Sequence, residues 1–192
     1  MDDKVRVTDG FVFFWGGWPS QWHKSRFVID GVQYNCAEQF MMAEKARVFG
    51  DGAATAEILA SSNPREQKAI GRRVRGFDES TWNSVCRGIV CRANLAKYEQ
   101  NAELCTILLA TENRVIVEAS PKDRVWGIGL SQSDPRALHP AQWLGTNWLG
   151  IAIMQARDEI RRRRGHPAPA FDAELRRQLD TRAAITREEK NP

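Results

Sequence analysis

Three consecutive branched apolar residues, Val115-Ile116-Val117, constrain this chain most: they read as a buried strand where the other long apolar patterns are helical. The run ends at Glu118, and Ser120-Pro121 then turns the backbone out of the sheet, because a residue before proline is pushed away from helical geometry. Lys122, Asp123, Arg124, Trp126, Gly127 and Gly129 follow within a dozen positions. A loop leaving a buried strand is where a rigid scaffold presents chemistry. Glycines beside Trp126 suit backbone that approaches a ligand closely or takes positive φ. An ordinary turn with solvated charges and one core Trp is the other account of the same residues.

The rest of the chain reads as α+β: a single compact, helix-rich domain with a small β-sheet over residues 5–164. Residues 11–15 and 27–34 carry Phe, Val, Ile and Tyr around Asp30-Gly31, a hairpin signal. Between them lies the loop Gly16-Gly17-Trp18-Pro19-Ser20-Gln21-Trp22-His23, too aromatic to be solvent filler. Asn35 is placed to cap a helix whose third residue is Glu38, and Asn63 to cap one with Pro64 at its first position. Asp78 opens a long helix bearing Trp82, Val85, Ile89 and Ala96, and Asn101 a shorter one. A one-sided stripe of Leu149, Ala152, Ile153, Ala156 and Ile160 marks the last core helix, which Gly165-His166-Pro167 ends. Residues 165–192 form a charged tail expected to be flexible or loosely helical.

Charge and cysteine usage narrow the function classes. The net charge is +4, but from Arg157 onward ten Lys/Arg face seven Asp/Glu, so the body carries only +1. No basic stripe of the kind that tracks DNA is evident in the body, and a small anionic substrate fits better. The start MDDKVRV lacks the apolar core of a signal peptide, and no apolar run approaches the roughly 20 residues that span a bilayer. The four cysteines show no CxxC spacing and read as reduced, buried thiols of a cytosolic protein. His23, His139 and His166 are too scattered for a metal site, and no cofactor is indicated.

Glu38 and Lys45 stand seven residues apart on one predicted helix, hence at nearly one azimuth and about 10.5 Å apart along its axis. Met41 and Met42 lie between them, so both charges share an apolar face. A capping-box carboxylate for Glu38 and a snorkelling side chain for Lys45 are the ordinary alternatives. Trp22, Trp82 and Trp126 can stack on a flat base, at roughly 1–3 kcal/mol per contact, although a helical Trp such as Trp82 commonly serves the core. Arg72 either meets a phosphate or is solvated; Asn147 either caps the last helix or binds sugar hydroxyls.

Two ordered sets of residues give the chain a resemblance. Tyr34-Asn35-Cys36-Ala37-Glu38-Gln39-Phe40-Met41-Met42 with Lys45-Ala46 forms the first. The second is Val117 through Leu130, then Asp134-Pro135-Arg136 and Gly145-Thr146-Asn147-Trp148-Leu149-Gly150. Between them lie Gly71-Arg72-Arg73-Val74, Phe77-Asp78, Trp82 and Asn94-Leu95-Ala96-Lys97-Tyr98. This order resembles the NADAR (YbiA-like) family over residues 11–160. The resemblance implies N-glycosidase chemistry on ribosyl–base or ribosylamine bonds, with Glu38, Lys45, Glu118 and Asp123 catalytic. Trp22, Arg72, Trp82, Trp126, Gly127 and Asn147 would then bind substrate. One departure is the segment Pro19-Ser20-Gln21-Trp22, where many members resemble Ser-Asn-Phe.

Cleaving such a bond needs a proton for the departing nitrogen, a nucleophile for the anomeric carbon and negative charge near the developing cation. The carboxylates supply the first and third. Lys45, if desolvated, supplies an amine that forms an imine with the opened sugar; direct attack by water is the competing route. The expected substrates are early riboflavin-pathway phosphoribosylamino-pyrimidines. ADP-ribosylated guanine in nucleic acid, with Arg161 to Arg164 holding phosphates near the site, is the alternative. A third reading is a non-catalytic module that binds NAD or ADP-ribose.

Overall fold

The computed structural model describes residues 3–166, so most of the expected tail lies outside the described residues. The apolar run is strand β5 (Val115–Glu118), with Val115, Ile116 and Val117 all buried. It lies parallel to β2 (Phe11–Phe14), placing Glu118 opposite Phe14, and β1 (Val5–Val7) closes the other side of β2 antiparallel. A parallel pair requires a crossover; here residues 15–114 supply it and carry most of the helices. The hairpin around Asp30-Gly31 is present as β3 (Phe27–Ile29) and β4 (Val32–Tyr34), with φ of 51° and 76° at the two turn residues. It forms its own two-stranded sheet, so the strands divide into two small sheets.

Helix α1 (Ala37–Val48) is the hub. Every residue from Ala37 through Ala43 is buried, because α2 (Gly52–Ala60), α3 (Pro64–Gly71) and α4 (Glu79–Glu99) all pack on it. Its start departs from expectation: Cys36 is the N-cap residue, Glu38 is the second helical residue, and no side chain caps the end. Asn35 instead accepts a hydrogen bond from Gln67 and donates to the Ser61 carbonyl. Asn63 and Asp78 cap α3 and α4 as their sequences indicate. Asn101 precedes α5 (Ala102–Ala110), but its amide donates to the Arg26 and Lys97 carbonyls.

Helix α6 (Trp148–Arg163) packs on α4 and β5. Asn147 enters it with a left-handed φ of 53° and makes no side-chain cap. Its amide reaches across to β5, accepting from the Glu118 N–H at 3.0 Å and donating to the Ile116 carbonyl at 2.9 Å. Among the described residues no helix is long and apolar enough to cross a membrane.

Lys97 joins α4 to the aromatic loop. It is 0% exposed, and its Nζ donates to the carbonyls of Trp18 at 2.8 Å and Ser20 at 3.0 Å. One residue beyond Ser20, the Gln21 carbonyl accepts the Glu38 N–H at 3.0 Å, so the loop is fastened to the first turn of α1. Lys97→Met should therefore loosen the loop more than the domain. Amide exchange over residues 18–23 should accelerate about tenfold or more. The global denaturation midpoint should move little, since removing a buried ammonium offsets the lost bonds. Hydrogen-exchange mass spectrometry checks this, and unchanged loop protection would contradict it.

Candidate active site

An open cavity of about 1210 Å³ lies between α1, α3, the start of α4, the aromatic loop and the loop after β5. One face of α1 makes its floor through Glu38, Met41, Met42 and Lys45. Of the ten residues singled out from sequence, Glu38, Lys45, Glu118, Asp123, Trp22, Arg72, Trp82 and Trp126 all line it. Gly127 and Asn147 do not. Gly127 is buried beneath the loop, where a Cβ would come within 2.7 Å of the Glu118 carbonyl and 3.1 Å of the Asp123 carbonyl. Its bare Cα is what lets that loop fold against the strand end. Asn147 is fully buried with both amide ends committed to β5, so it holds Glu118 instead of capping α6 or meeting sugar.

Each carboxylate is held differently. Glu118 closes a strand, with its backbone fixed by Asn147 and by the Ile128 N–H, which donates to its carbonyl at 2.9 Å. Its Oε2 is buried without a hydrogen-bond partner. Burial, reinforced by the nearby Asp123 charge, pushes its pKa up to about 8, against the pull of Lys68. Glu38 is 3% exposed, and burial raises its pKa too, while Lys68 and a hydrogen bond with Trp22 act the other way. Asp123 Oδ1 accepts from the N–H groups of Val125 and Trp126 at 2.9 and 2.8 Å, which locks the loop in an Asx-type turn.

Lys45 makes no ion pair among the described residues. Its Nζ sits 4.1 Å from the centre of the Phe77 ring and 5.7 Å from that of Trp82. Burial lowers its pKa. The sequence expectation of an amine flanked by methionines is thus modified: rings face the nitrogen, while Met41 and Met42 line the floor beside it.

Trp126 is half-buried and braced edge-on by Trp148 at 5.7 Å, whose ring in turn carries the Arg87 guanidinium at 3.7 Å. Trp82 is 9% exposed and serves core and cavity together. Trp22 is more open, with the Lys68 Nζ 5.8 Å from its ring. Sequence reading missed Lys68 and did not place Phe77 at the site. Lys68 stands one helical turn before Arg72, and that spacing was the available signal.

The arginine run does not serve this site. Arg162 and Arg163 pair with Glu159, Arg163 also with Glu99, and Arg161 donates to the Glu112 carbonyl. They sit at the far end of α6 from Leu149, which lines the cavity, roughly 20 Å along the helix axis.

The opposite shifts of Glu118 and Lys97 predict how stability follows pH. Folded Glu118 keeps a proton up to about 8 that the unfolded chain releases near 4.5, so its contribution declines as pH rises through that window. Lys97, pushed down from 10.5 to about 7 by burial, releases its proton in the folded state first, so stability recovers between those values. Urea midpoints should pass through a shallow minimum between about 7 and 8. Glu118→Gln should flatten the acid-side decline, and an unaltered profile in that variant would contradict the assignment.

Comparison with known proteins comes to the same place. The NADAR domain family model matches residues 13–161. N-glycosidase R617 of Acanthamoeba polyphaga mimivirus is 39% identical over 165 residues, spanning 79% of this chain and 97% of that protein. A maize protein named "Riboflavin biosynthesis protein PYRR, chloroplastic" is 36% identical over 108 residues, 54% of this chain but only 16% of the maize protein. The NMR structure of the E. coli protein YbiA superposes with a TM-score of 0.69 at 25% identity, covering 88% of this chain and 95% of that one.

Proposed function

The chain belongs to the NADAR domain family, and on that premise we propose that it is an N-glycosidase acting on a ribosyl–amine bond. The observation that carries this reading is the gathering of Glu38, Glu118 and Asp123 in one aromatic-lined cavity, with the Glu118 carboxyl group buried. Burial and the nearby Asp123 charge favour the protonated form of Glu118, which suits it to the acid role. Glu118 is the proton donor to the departing nitrogen. Asp123 and Glu38 provide negative charge beside the anomeric carbon, and Trp126, Trp22 and Trp82 supply flat faces for the base.

Lys45 is the nucleophile in this reading. Burial moves its pKa in the direction a free amine requires, while the Phe77 and Trp82 rings keep the side chain over the floor. Once the ribose ring opens, the Lys45 amine bonds to C1 and the C1–N bond to the base breaks. The departing nitrogen takes its proton from Glu118. Water then hydrolyses the imine, restoring the amine and releasing the sugar. The substrate we favour is an early phosphoribosylamino-pyrimidine of riboflavin synthesis. Its support is the partial match to the maize riboflavin protein and a cavity suited to a small anionic glycosylamine.

A second reading has one observation behind it: the cavity, at about 1210 Å³, exceeds the upper end of ordinary small-ligand pockets, about 1,000 Å³. That volume also accommodates an ADP-ribosyl group on guanine. The paired arginines of α6 do not support it.

Release of ribose 5-phosphate from the two riboflavin intermediates, compared with release of ADP-ribose from modified oligonucleotides, separates the two substrates. A ligand returned intact from every incubation would leave only a binding module. Glu118→Gln should lower kcat by about 10²–10⁴-fold, the usual worth of a positioned acid. It should also remove the decline in wild-type kcat/KM as pH rises through about 8. Sodium borohydride added during turnover should trap a sugar adduct on Lys45. Lys45→Arg should abolish adduct and turnover together, since guanidinium keeps its proton at working pH. Full activity in Lys45→Ala would sink the covalent route and leave attack by water assisted by Glu38 and Asp123.

A further inference from the structure

Helix α3 and its C-cap bring two cations, Lys68 and Arg72, to the cavity wall. Lys68 and Arg72 stand four residues apart, thus on one face and about 6 Å apart along the axis, and both line the cavity. Neither makes an ion pair among the described residues. Their neighbours do: Arg73 pairs with Glu57 at 3.6 Å and Arg75 with Asp51 at 2.8 Å, both away from the cavity. Gly71, between the two, is buried against Met42, and any Cβ there would collide with the Met42 side chain. That close approach of α3 to α1 is what brings the Lys68–Arg72 face over the floor.

The electrostatic position of Lys68 is specific. It is the strongest favourable charge acting on both Glu38 and Glu118, yet it bonds to neither. Its Nζ stands 5.8 Å from the centre of the Trp22 ring, on the wall of the cavity that Glu38 and Glu118 also line. The surrounding backbone cannot bind an anion there, because this is the C-terminal, negative end of α3. Charged side chains must do it.

We infer that Lys68 and Arg72 form a phosphoryl subsite that takes the 5′-phosphate of the ribosyl substrate, the two cations closing on one anion from successive turns of α3. The inference rests on the N-glycosidase reading and extends it, assigning Lys68 a direct contact with substrate. The shared ligand chemistry is a phosphoryl group, whether the monoester of ribose 5-phosphate or the diphosphate of ADP-ribose.

Binding without turnover tests it. Titrations of the full chain with ribose, ribose 5-phosphate and ADP-ribose can be followed by tryptophan fluorescence. The wild-type protein should bind ribose 5-phosphate about tenfold or more tightly than ribose, with a preference that weakens as salt is raised. Lys68→Met with Arg72→Met should erase that preference. Arg72→Met alone, at an exposed position that cannot unfold the chain, should reduce it. Loss confined to ADP-ribose supports the subsite and identifies the diphosphate as its source. Equal binding of ribose and ribose 5-phosphate by the wild-type protein, with no effect of the substitutions on ADP-ribose, overturns the proposal. So does an intact preference in the double variant accompanied only by a shifted pH profile of turnover, which would make Lys68 a counter-charge to the carboxyl groups. A protein that keeps the phosphate preference but cleaves no N-glycoside would refute the enzymatic reading and leave the subsite standing.

Discussion

The buried contact between Lys97 and the carbonyls of Trp18 and Ser20 is the interaction on which the site depends. An amine removed from water without a carboxylate partner is costly, and burial drives its pKa down to about 7. That cost is sustained because Lys97 connects parts of the chain that share no secondary structure. It reaches from the last turn of α4, the longest helix among the described residues, to a loop nearly eighty residues earlier. The loop in turn offers the Gln21 carbonyl to the buried first turn of α1, which no side chain caps. Glu38, the residue of that turn that lines the cavity, is thereby set against Trp22.

A comparable device acts on the other wall. Asn147 takes a left-handed conformation to start α6 while its amide replaces the strand partner that β5 lacks on that side. Glu118 is thus held at the strand end through its backbone N–H and carbonyl, and its buried Oε2 has no hydrogen-bond partner. The raised pKa follows from that isolation. Asp123, by contrast, spends one oxygen on two backbone N–H groups of its own loop. Burial at the end of a strand favours the protonated form of Glu118, whereas Asp123 orders a surface turn.

The family resemblance is most informative where local spacing already implied chemistry, and least where the chain departs from the common pattern. The segment Pro19-Ser20-Gln21-Trp22 looked unpromising beside the more usual Ser-Asn-Phe. In the structure it supplies both the carbonyl that fastens α1 and the indole beside Glu38. The arginine run at the end of α6 shows the reverse case: conspicuous in sequence, it is spent on Glu159, Glu99 and a backbone carbonyl.

Local rules alone determined much of this protein. Branched apolar residues made β5 a strand, Asp30-Gly31 closed a hairpin, and Asn63 and Asp78 set helix starts. The 3.6-residue period put Glu38 and Lys45 on one face. These depend on neighbours within a turn or two, so the order of residues suffices. Tertiary structure decided the rest. A helix whose first two turns are buried all round, as those of α1 are, carries no amphipathic stripe there to reveal its depth, and β1, three residues long with Arg6 at its centre, gained its place only by pairing with β2. Asn147 was legible as a polar residue before a helix, but not as a strap on a strand thirty residues away. Lys68 and Phe77 became site residues because Gly71 lets α3 lie against Met42 and Lys45 points toward Phe77. Protonation was decided last, since it depends on how much water the packed walls exclude from each carboxyl group, and no residue carries that information by itself.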